Sequence, residues 1–446
     1  MKKTLLLIAL TMMCLLTRAG GLMTNTNYHI AFDRMFARGA TTEIDAIFSN
    51  PAGLAWGHEG LQLSLNLQKP WQNRDIETSI PSFLAVPNLS PGYDFQQKYN
   101  GKASAPVVPA LFASYKQDRW VASAMIGIVG SGGFVKYDEG IPMFNVPVTA
   151  LLAQNGVAPG QYVLSSQMKG KQYIYGFQGN FTYRLTDFLS AAVGLRANYY
   201  DGYNRGFVKA DMGAVSLVNM QLDCIQRGWG FTPIVSVDFH QGPLTVAARY
   251  EFRTKLNTEN DTQELTATIA GKTPAETAAI LGPKMAAYQN GAKVRYDMPS
   301  LLTVAAQYEI TPQLRAAVEY HFFDDKSAKM AGNRQEQLEH GTHEFLLGAE
   351  YDINDRFTVS CGGQRTDYGL SDVYQQNTSF ACDSYSLGLG GAVKLNDHMR
   401  LNVSYFCSLY SDYKVNTPSY QNTGYPGTDT YSRTNHVIGV GLDYKF

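Results

Sequence analysis

The sequence predicts an all-β fold: a transmembrane antiparallel β-barrel of about fourteen strands, preceded by an N-terminal segment without the strand pattern. Three observations carry this. Only 17% of the 446 residues are charged while 12% are aromatic, with 28 Tyr, 22 Phe and 41 Gly, against about a quarter charged in ordinary soluble domains. Beyond about residue 60 the chain alternates apolar and polar residues with period two, the period of a strand. Its connections alternate between compact turns and long polar loops, the two-sided arrangement of an outer-membrane barrel. A content of 45% hydrophobic residues excludes a disordered chain. A mean hydropathy of −0.20, with no later apolar run near the ~20 residues a spanning helix needs, excludes a helical membrane protein. The net charge of −1 gives no electrostatic footprint for nucleic acid, and no such partner is expected.

Residues 1–19 read as a secretory signal peptide. Lys2 and Lys3 precede an apolar stretch from Leu5 to Leu16, and Thr17 and Ala19 are small residues at the positions a signal peptidase reads. Cleavage after Ala19 takes Lys2, Lys3 and Arg18 away, so the charge moves from −1 to −4. Cys14 leaves with this segment. Cys224, Cys361, Cys382 and Cys407 remain, with irregular spacing and no C-x-x-C, so neither a metal site nor a cofactor is expected. Cys361 and Cys407 fall on the apolar face of strands, where an inert thiol is at home.

Residues 20–59 lack the alternation and are open to two readings, a loose arm or a plug. A short amphipathic helix is expected around Tyr28 to Phe36, then a turn at Arg38-Gly39-Ala40, then the run Asp45 to Ala55. Within that run Asn50-Pro51 restricts the backbone and Ala52-Gly53 permits close packing against another backbone.

Residues 60–446 form the barrel. From Leu314 to Phe322, the residues Leu314, Ala316, Val318, Tyr320 and Phe322 share one face while Arg315, Ala317, Glu319 and His321 share the other. The pattern recurs at 189–200, 244–253, 302–310, 345–352, 385–395 and 437–446. Compact turns at 116–119, 185–187, 240–243, 310–313, 353–356 and 395–398 alternate with long connections at 70–105, 138–168, 201–227, 257–292, 324–341, 369–381 and 411–432. Thirteen connections imply fourteen strands, an even number as a closed bacterial barrel requires. Tyr183, Tyr250, Phe252, Tyr308, Tyr351 and Phe357 sit near strand ends on the apolar face, as interfacial girdles do. A soluble β-sandwich explains neither the two-sided connections nor these aromatics.

Charged residues, among them Arg184, Arg196, Asp238, Arg249, Glu251, Glu309, Arg315, Glu319, His321 and Glu350, keep to the opposite, lumenal face. They are expected mainly to anchor the plug through ion pairs. The third strand, from Trp120, carries Gly127, Gly130, Gly132 and Gly133, which permit a bulge or bend. Two loops carry helical signals. Thr273-Pro274-Ala275-Glu276 is a capping box opening toward Ile280, Leu281 and Met285, and 144–152 is apolar at Phe144, Val148, Leu151 and Leu152.

The N-terminal run from Arg38-Gly39-Ala40 through Asn50-Pro51-Ala52-Gly53-Leu54, followed by about fourteen strands, resembles the FadL-type family of outer-membrane transporters for long-chain fatty acids and other hydrophobic compounds. The closing series Ile438, Val440, Leu442, Tyr444 and Phe446 is similar to the C-terminal signal of bacterial outer-membrane proteins, which implies recognition by the barrel-assembly machinery. The resemblance spans the mature chain in architecture and is motif-specific over these two segments. It implies a protein of the bacterial outer membrane, in contact with its lipid, working as a monomer on a hydrophobic small-molecule ligand. It further implies that 20–59 is a hatch whose Asn50, Pro51 and Ala52 rearrange during transport. Gly127, Gly130, Gly132 and Gly133 would mark a lateral gate. Phe144, Val148, Leu151, Leu152, Ile280, Leu281 and Met285 would contribute to ligand capture among the loops. A barrel enzyme, lipase or protease, is the competing class. It finds no G-x-S-x-G around Ser131 and no H-E-x-x-H, and His340 and His343 are only three apart in a loop. A general porin is opposed by a forty-residue plug. The sequence does not choose between a fatty acid and an aromatic hydrocarbon.

Overall fold

The computed structural model describes residues 22–86, 90–278 and 286–446; the expected signal peptide and Ile280, Leu281 and Met285 lie outside them. Eighteen hydrogen-bonded segments form one closed antiparallel sheet. Four strands are each interrupted once, which leaves fourteen. These are β1 (Gly60–Phe83), β2 (Tyr93–Ser104 and Val108–Gln117), β3 (Trp120–Tyr137), β4 (Val163–Arg184), β5 (Leu189–Met212) and β6 (Val215–Gln241). The circuit continues through β7 (Leu244–Glu251 and Asn257–Ile269), β8 (Lys293–Arg295 and Leu301–Glu309), β9 (Leu314–Phe323) and β10 (Thr342–Asp352). It ends with β11 (Phe357–Asp367), β12 (Ser384–Lys394), β13 (Met399–Tyr410 and Tyr413–Thr417) and β14 (Gly427–Lys445). Closure is made by β14 on β1, in register from Gln62 opposite Lys445 to Ser79 opposite Thr428. The circuit is closed, so neither the first nor the last strand is left as a free edge.

The alternation sorts side chains as expected. In β9, Val318 is exposed whereas Ala317, Glu319 and His321 are buried in the lumen. The outward face is a belt of Leu, Val, Ile, Phe and Tyr, which in water would be an aggregation surface and in a bilayer is the solvated one. Cys361 lies on this outward face and Cys407 is half-buried; all four described cysteines are unpaired.

Several long connections are corrected. Instead of loops at 70–105 and 201–227, β1 continues to Phe83, β2 begins at Tyr93, and β5 and β6 meet in a tight turn at Gly213-Ala214. Likewise β7 extends to Ile269 and β14 begins at Gly427. Above the bilayer the outer face meets water, so the apolar signal fades while backbone pairing continues. The wall is therefore uneven. β6 has 27 residues, about 90 Å of strand, while β9 has 10. Over the low side the connections 324–341 and 369–383 fold inward, burying Arg334, Tyr374 and Phe380.

Candidate functional site

The plug occupies the lumen. Helix α1 (Ile30–Met35) is capped by His29, whose ring accepts from the Ala31 amide, and every residue of it is buried, so the expected amphipathic helix has no face toward water. Phe32, Met35 and Phe36 pack on Ala317, Leu346, Phe406 and Val437 of the wall. The approach is close enough that a Cβ on Gly348 or Gly362 would lie 2.0 Å from the Met35 carbonyl oxygen, so the wall here tolerates only glycine. The turn at Arg38 closes through the Thr41 amide on the Arg38 carbonyl at 3.0 Å.

Below α1 the plug is tied by charge. Arg38 donates to both carboxylate oxygens of Asp45 at 2.7 and 2.9 Å and to Glu43 at 2.8 Å. Glu43 in turn accepts from Arg400 of β13 at 2.5 Å. Arg34 pairs with Glu350 of β10, and His29 meets Asp443 of β14 at 3.0 Å. Burial and the two acids act on Arg38 in opposite senses and the acids prevail, so it stays protonated. This face of the plug looks onto a polar vestibule of about 740 Å3 on the short-turn side. The lumenal charges named from sequence largely join the same lattice, with Arg196 and Arg249 on Glu251 and His321 on Glu319 and Glu344. Arg249 also donates to the Phe48 carbonyl and lies over its ring, and Glu319 accepts from the Gly39 amide at 2.6 Å. Glu309 is exposed.

Asn50 links α2 (Ala46–Ser49) to a 3-10 turn (Pro51–Trp56) that Pro51 and Ala52 open, and all three are buried against the continuous wall. The Asn50 amide donates to Asp238 at 2.5 Å and to the Thr41 carbonyl at 3.1 Å. The carbonyls of Pro51 and Ala52 accept from Thr182 and Ser190, each at 2.7 Å, and the Ala52 amide donates to Ser236 at 3.3 Å. Side chains from β4, β5 and β6 thus satisfy the backbone of all three motif positions or their neighbours.

The third strand is irregular where its glycines cluster. Against β4 its register shifts between Ile128 and Gly130 and again between Ser131 and Gly133. Against β2 it pairs at 120–126 and at 134–137, and 127–133 have no ladder partner there. The facing stretch of β2 is broken at Ala105-Pro106-Val107, between its two segments. The plug fills the interruption. The Asn25 amide donates to the Val129 carbonyl at 3.1 Å, its side-chain amide to Ile128 at 3.3 Å, and the Tyr28 hydroxyl to Val129 at 3.1 Å. A Cβ on Gly130 would lie 2.5 Å from the Met23 carbonyl oxygen, so the chain passes directly over this residue. Beside the interruption on the lipid face, Leu63, Leu65, Leu111, Ala113, Ala124 and Ile126 line an apolar hollow of about 450 Å3.

A family-wide sequence profile described as an outer membrane protein beta-barrel domain matches residues 265–446. Among solved structures the chain is similar to a Pseudomonas aeruginosa FadL homologue, with a TM-score of 0.70 at 15% identity, over 96% of this chain and 100% of that one. The fold is that of the FadL-type transporters. The toluene transporters TodX of P. putida and TbuX of Ralstonia pickettii also superpose, with TM-scores of 0.57 and 0.51 at 13% and 14% identity. They cover 92% and 90% of this chain and 97% and 94% of their own. No match was found among curated proteins. The match to an outer membrane beta-barrel domain and the fold together support a place in the bacterial outer membrane.

The expected capture residues are distributed differently from an open groove. Phe144, Val148, Leu151 and Leu152 lie on α3 (Pro142–Gln154) and are buried against the tall wall in a cluster with Tyr99, Tyr137, Phe380 and Tyr431. Burial wins because α3 is apolar all round, so a helix standing in water would expose its whole surface. The capping box does form, with Glu276 and Thr273 bonding reciprocally at 2.8 and 3.2 Å. Asn25 and Tyr28 went unnoticed in the sequence, where nothing marks them. Pro106 and Pro109 in β2 were the available signal, since proline has no N–H for a ladder.

Proposed function

We propose that this FadL-type barrel carries hydrophobic small molecules passively through the outer membrane, and that they leave sideways between β2 and β3. The observation that carries this reading is the interrupted ladder, where 127–133 of β3 lack a ladder partner on β2 and the Ile128 and Val129 carbonyls take hydrogen bonds from the plug. An apolar solute has no favourable route through the polar vestibule beneath the plug, whereas the hollow at Leu111, Ala113 and Ile126 opens onto lipid. Movement of the hatch around Asn50, Pro51 and Ala52 would withdraw Asn25 and Tyr28 from the seam. Gly127, Gly130, Gly132 and Gly133 supply the bend. Phe144, Val148, Leu151 and Leu152 receive cargo from inside the barrel mouth rather than from an open surface groove. Long-chain fatty acids and aromatic hydrocarbons are the candidate cargoes. Two of the similar solved structures are toluene transporters by name, and a fatty acid would use the same apolar cluster.

The test replaces Asn50 and Pro51 by Ala in protein whose assembly is verified by heat-modifiability, then measures uptake of labelled fatty acid and toluene by cells. Uptake is expected to change at least about tenfold, the effect of a charge-assisted bond. Unchanged uptake removes the hatch role, and passage of hydrophilic solutes alone overturns the transport reading.

A further inference from the structure

Beyond the lipid belt, on the side of the long connections, four adjacent strands turn a row of like charges outward. Lys102 of β2 is opposite Lys136 of β3, Lys136 is opposite Lys169 of β4, and Lys169 is opposite Arg205 of β5. Their neighbours in the strands, Ala103, Val135, Met168 and Asn204, are buried toward the lumen, so the four cations stand on the outer face. Like charges directly opposite in a ladder are destabilising, and here three such pairs follow one another. The acids nearby do not cancel the row. Asp138 pairs with Lys136 at 2.5 Å and Asp223 with Arg205 at 2.8 Å, while Asp201 is taken by Lys171 at 2.5 Å. Among the described residues Lys102 and Lys169 take part in none of the ion pairs.

The depth of the row points to its counterion. Tyr183 and Tyr173 on the outer face of β4 are ten residues apart, about 33 Å of strand and about 25 Å of height at a tilt of about 40°, the span of an outer-membrane barrel's apolar band. Tyr173 stacks on Tyr175 and Tyr175 on Tyr199, and Tyr199 lies 4.7 Å from Trp229 between ring centres, so the upper girdle is continuous over β4 to β6. Lys169 is four residues beyond Tyr173, and Lys136 two beyond Phe134, about 7–13 Å along the strand. That is the level of lipid headgroups. Phosphate oxygens accept from ammonium and guanidinium donors together, and one anion shared along the row removes its repulsion. Outer-membrane barrels turn their long connections outward, so the lipid there is that of the outer leaflet.

We propose that Lys102, Lys136, Lys169 and Arg205 form a docking strip for a phosphate-bearing lipid headgroup of the outer leaflet, its acyl chains lying along the girdle at Phe134, Tyr173 and Tyr199. Lys102 and Lys136 belong to the short ladder that joins β2 to β3 beyond the interruption, so this lipid bridges the two strands of the seam from outside. The strip lies outside the lumen and stands independently of the uptake reading. In the test, the mature chain in a non-ionic detergent is titrated with radiolabelled lipid A bearing two phosphates and with the same lipid dephosphorylated, with inorganic phosphate as competitor. Wild type is expected to hold the phosphorylated lipid at least about tenfold more tightly, as a charge-assisted hydrogen bond requires. Lys102→Gln, Lys136→Gln and Lys169→Gln together should remove that preference and leave the dephosphorylated lipid unchanged, whereas Lys102→Arg, Lys136→Arg and Lys169→Arg should keep it. A charge-matched control, Lys255→Gln with Lys272→Gln and Lys293→Gln at exposed positions elsewhere on the same side, should also keep it. Assembly of each variant is verified by heat-modifiability. Equal affinity of wild type for the two lipids, or an unchanged preference in the first Gln variant, overturns the strip. Equal loss in the control would make the effect one of net charge, and displacement by micromolar inorganic phosphate would make it a free-anion site; either result overturns the headgroup as occupant.

Discussion

The plug meets two kinds of wall, and the hydrogen bonds run in opposite directions at each. Along β4 to β6 the ladder is continuous, from Val163 opposite Asp211 to Arg184 opposite Ser190 without a shift, and wall side chains reach in to satisfy the plug's backbone at Pro51 and Ala52. Along β2 and β3 the ladder is interrupted, and plug groups reach out to satisfy the wall's backbone at Ile128 and Val129. A continuous strand has no spare carbonyls, so it can anchor a neighbour only through side chains. An interrupted strand has spare carbonyls, and buried ones need partners. The seam thus depends on the plug for its closure, while the β4 to β6 wall stands without it.

The sharpest way to break this comparison is to make the seam like the wall. A Cβ on Gly127 would lie 3.5 Å from that of Ala110 across the interruption, within disulfide range. Ala110→Cys with Gly127→Cys, in a background lacking the native cysteines, is expected to lower uptake at least about tenfold when oxidised and to recover with reductant. Full activity of the oxidised form, with the cross-link verified by mass spectrometry, would move the exit elsewhere.

A smaller effect is expected where α1 rests on β9 to β14, a second stretch of unbroken ladder. Burial holds the Asp33 carboxyl well above the usual carboxylate range, with Asn27 opposing. Its charged form is disfavoured in the docked plug. Docking is therefore strongest at low pH and weakens as pH rises from the ordinary value near ~4 toward the raised one. Asp33→Asn should remove that slope and stabilise the docked state at pH 7 by about 1–3 kcal/mol, read as the thermal midpoint against pH. An unchanged slope would assign the pH dependence to another group.

The smallest effect belongs to the plug's hold on the seam. Tyr28→Phe with Asn25→Ala removes two side-chain bonds to β3, each worth about 1 kcal/mol. Amide exchange should quicken at 127–133 and stay unchanged at 120–126, where β2 supplies the ladder. Equal protection before and after would mean the plug does not brace the seam.

Much of the barrel was legible because a bilayer imposes a simple rule on each residue. Leu314, Ala316 and Val318 face lipid and Arg315, Ala317 and Glu319 do not, and every compact turn fell where Asn, Asp, Gly or Pro marked it. The rule lapsed above the membrane, so 201–227 read as a loop although it is two paired strands and a tight turn. The glycines of β3 pointed to the irregular strand, but its other half, the break at Ala105-Pro106-Val107, lies where the loop read over 70–105 ends and carried no reading of its own.

The sequence by itself determined the strand number and the lipid face, and marked where glycine lets β3 be irregular, because period, turn residues and glycine act locally. Only the tertiary structure decided which wall the plug grips, which carbonyls the seam leaves open, and that Lys102, Lys136, Lys169 and Arg205 stand in one row. Those depend on strand register and on the closure of β14 on β1, which pairs residues more than three hundred positions apart.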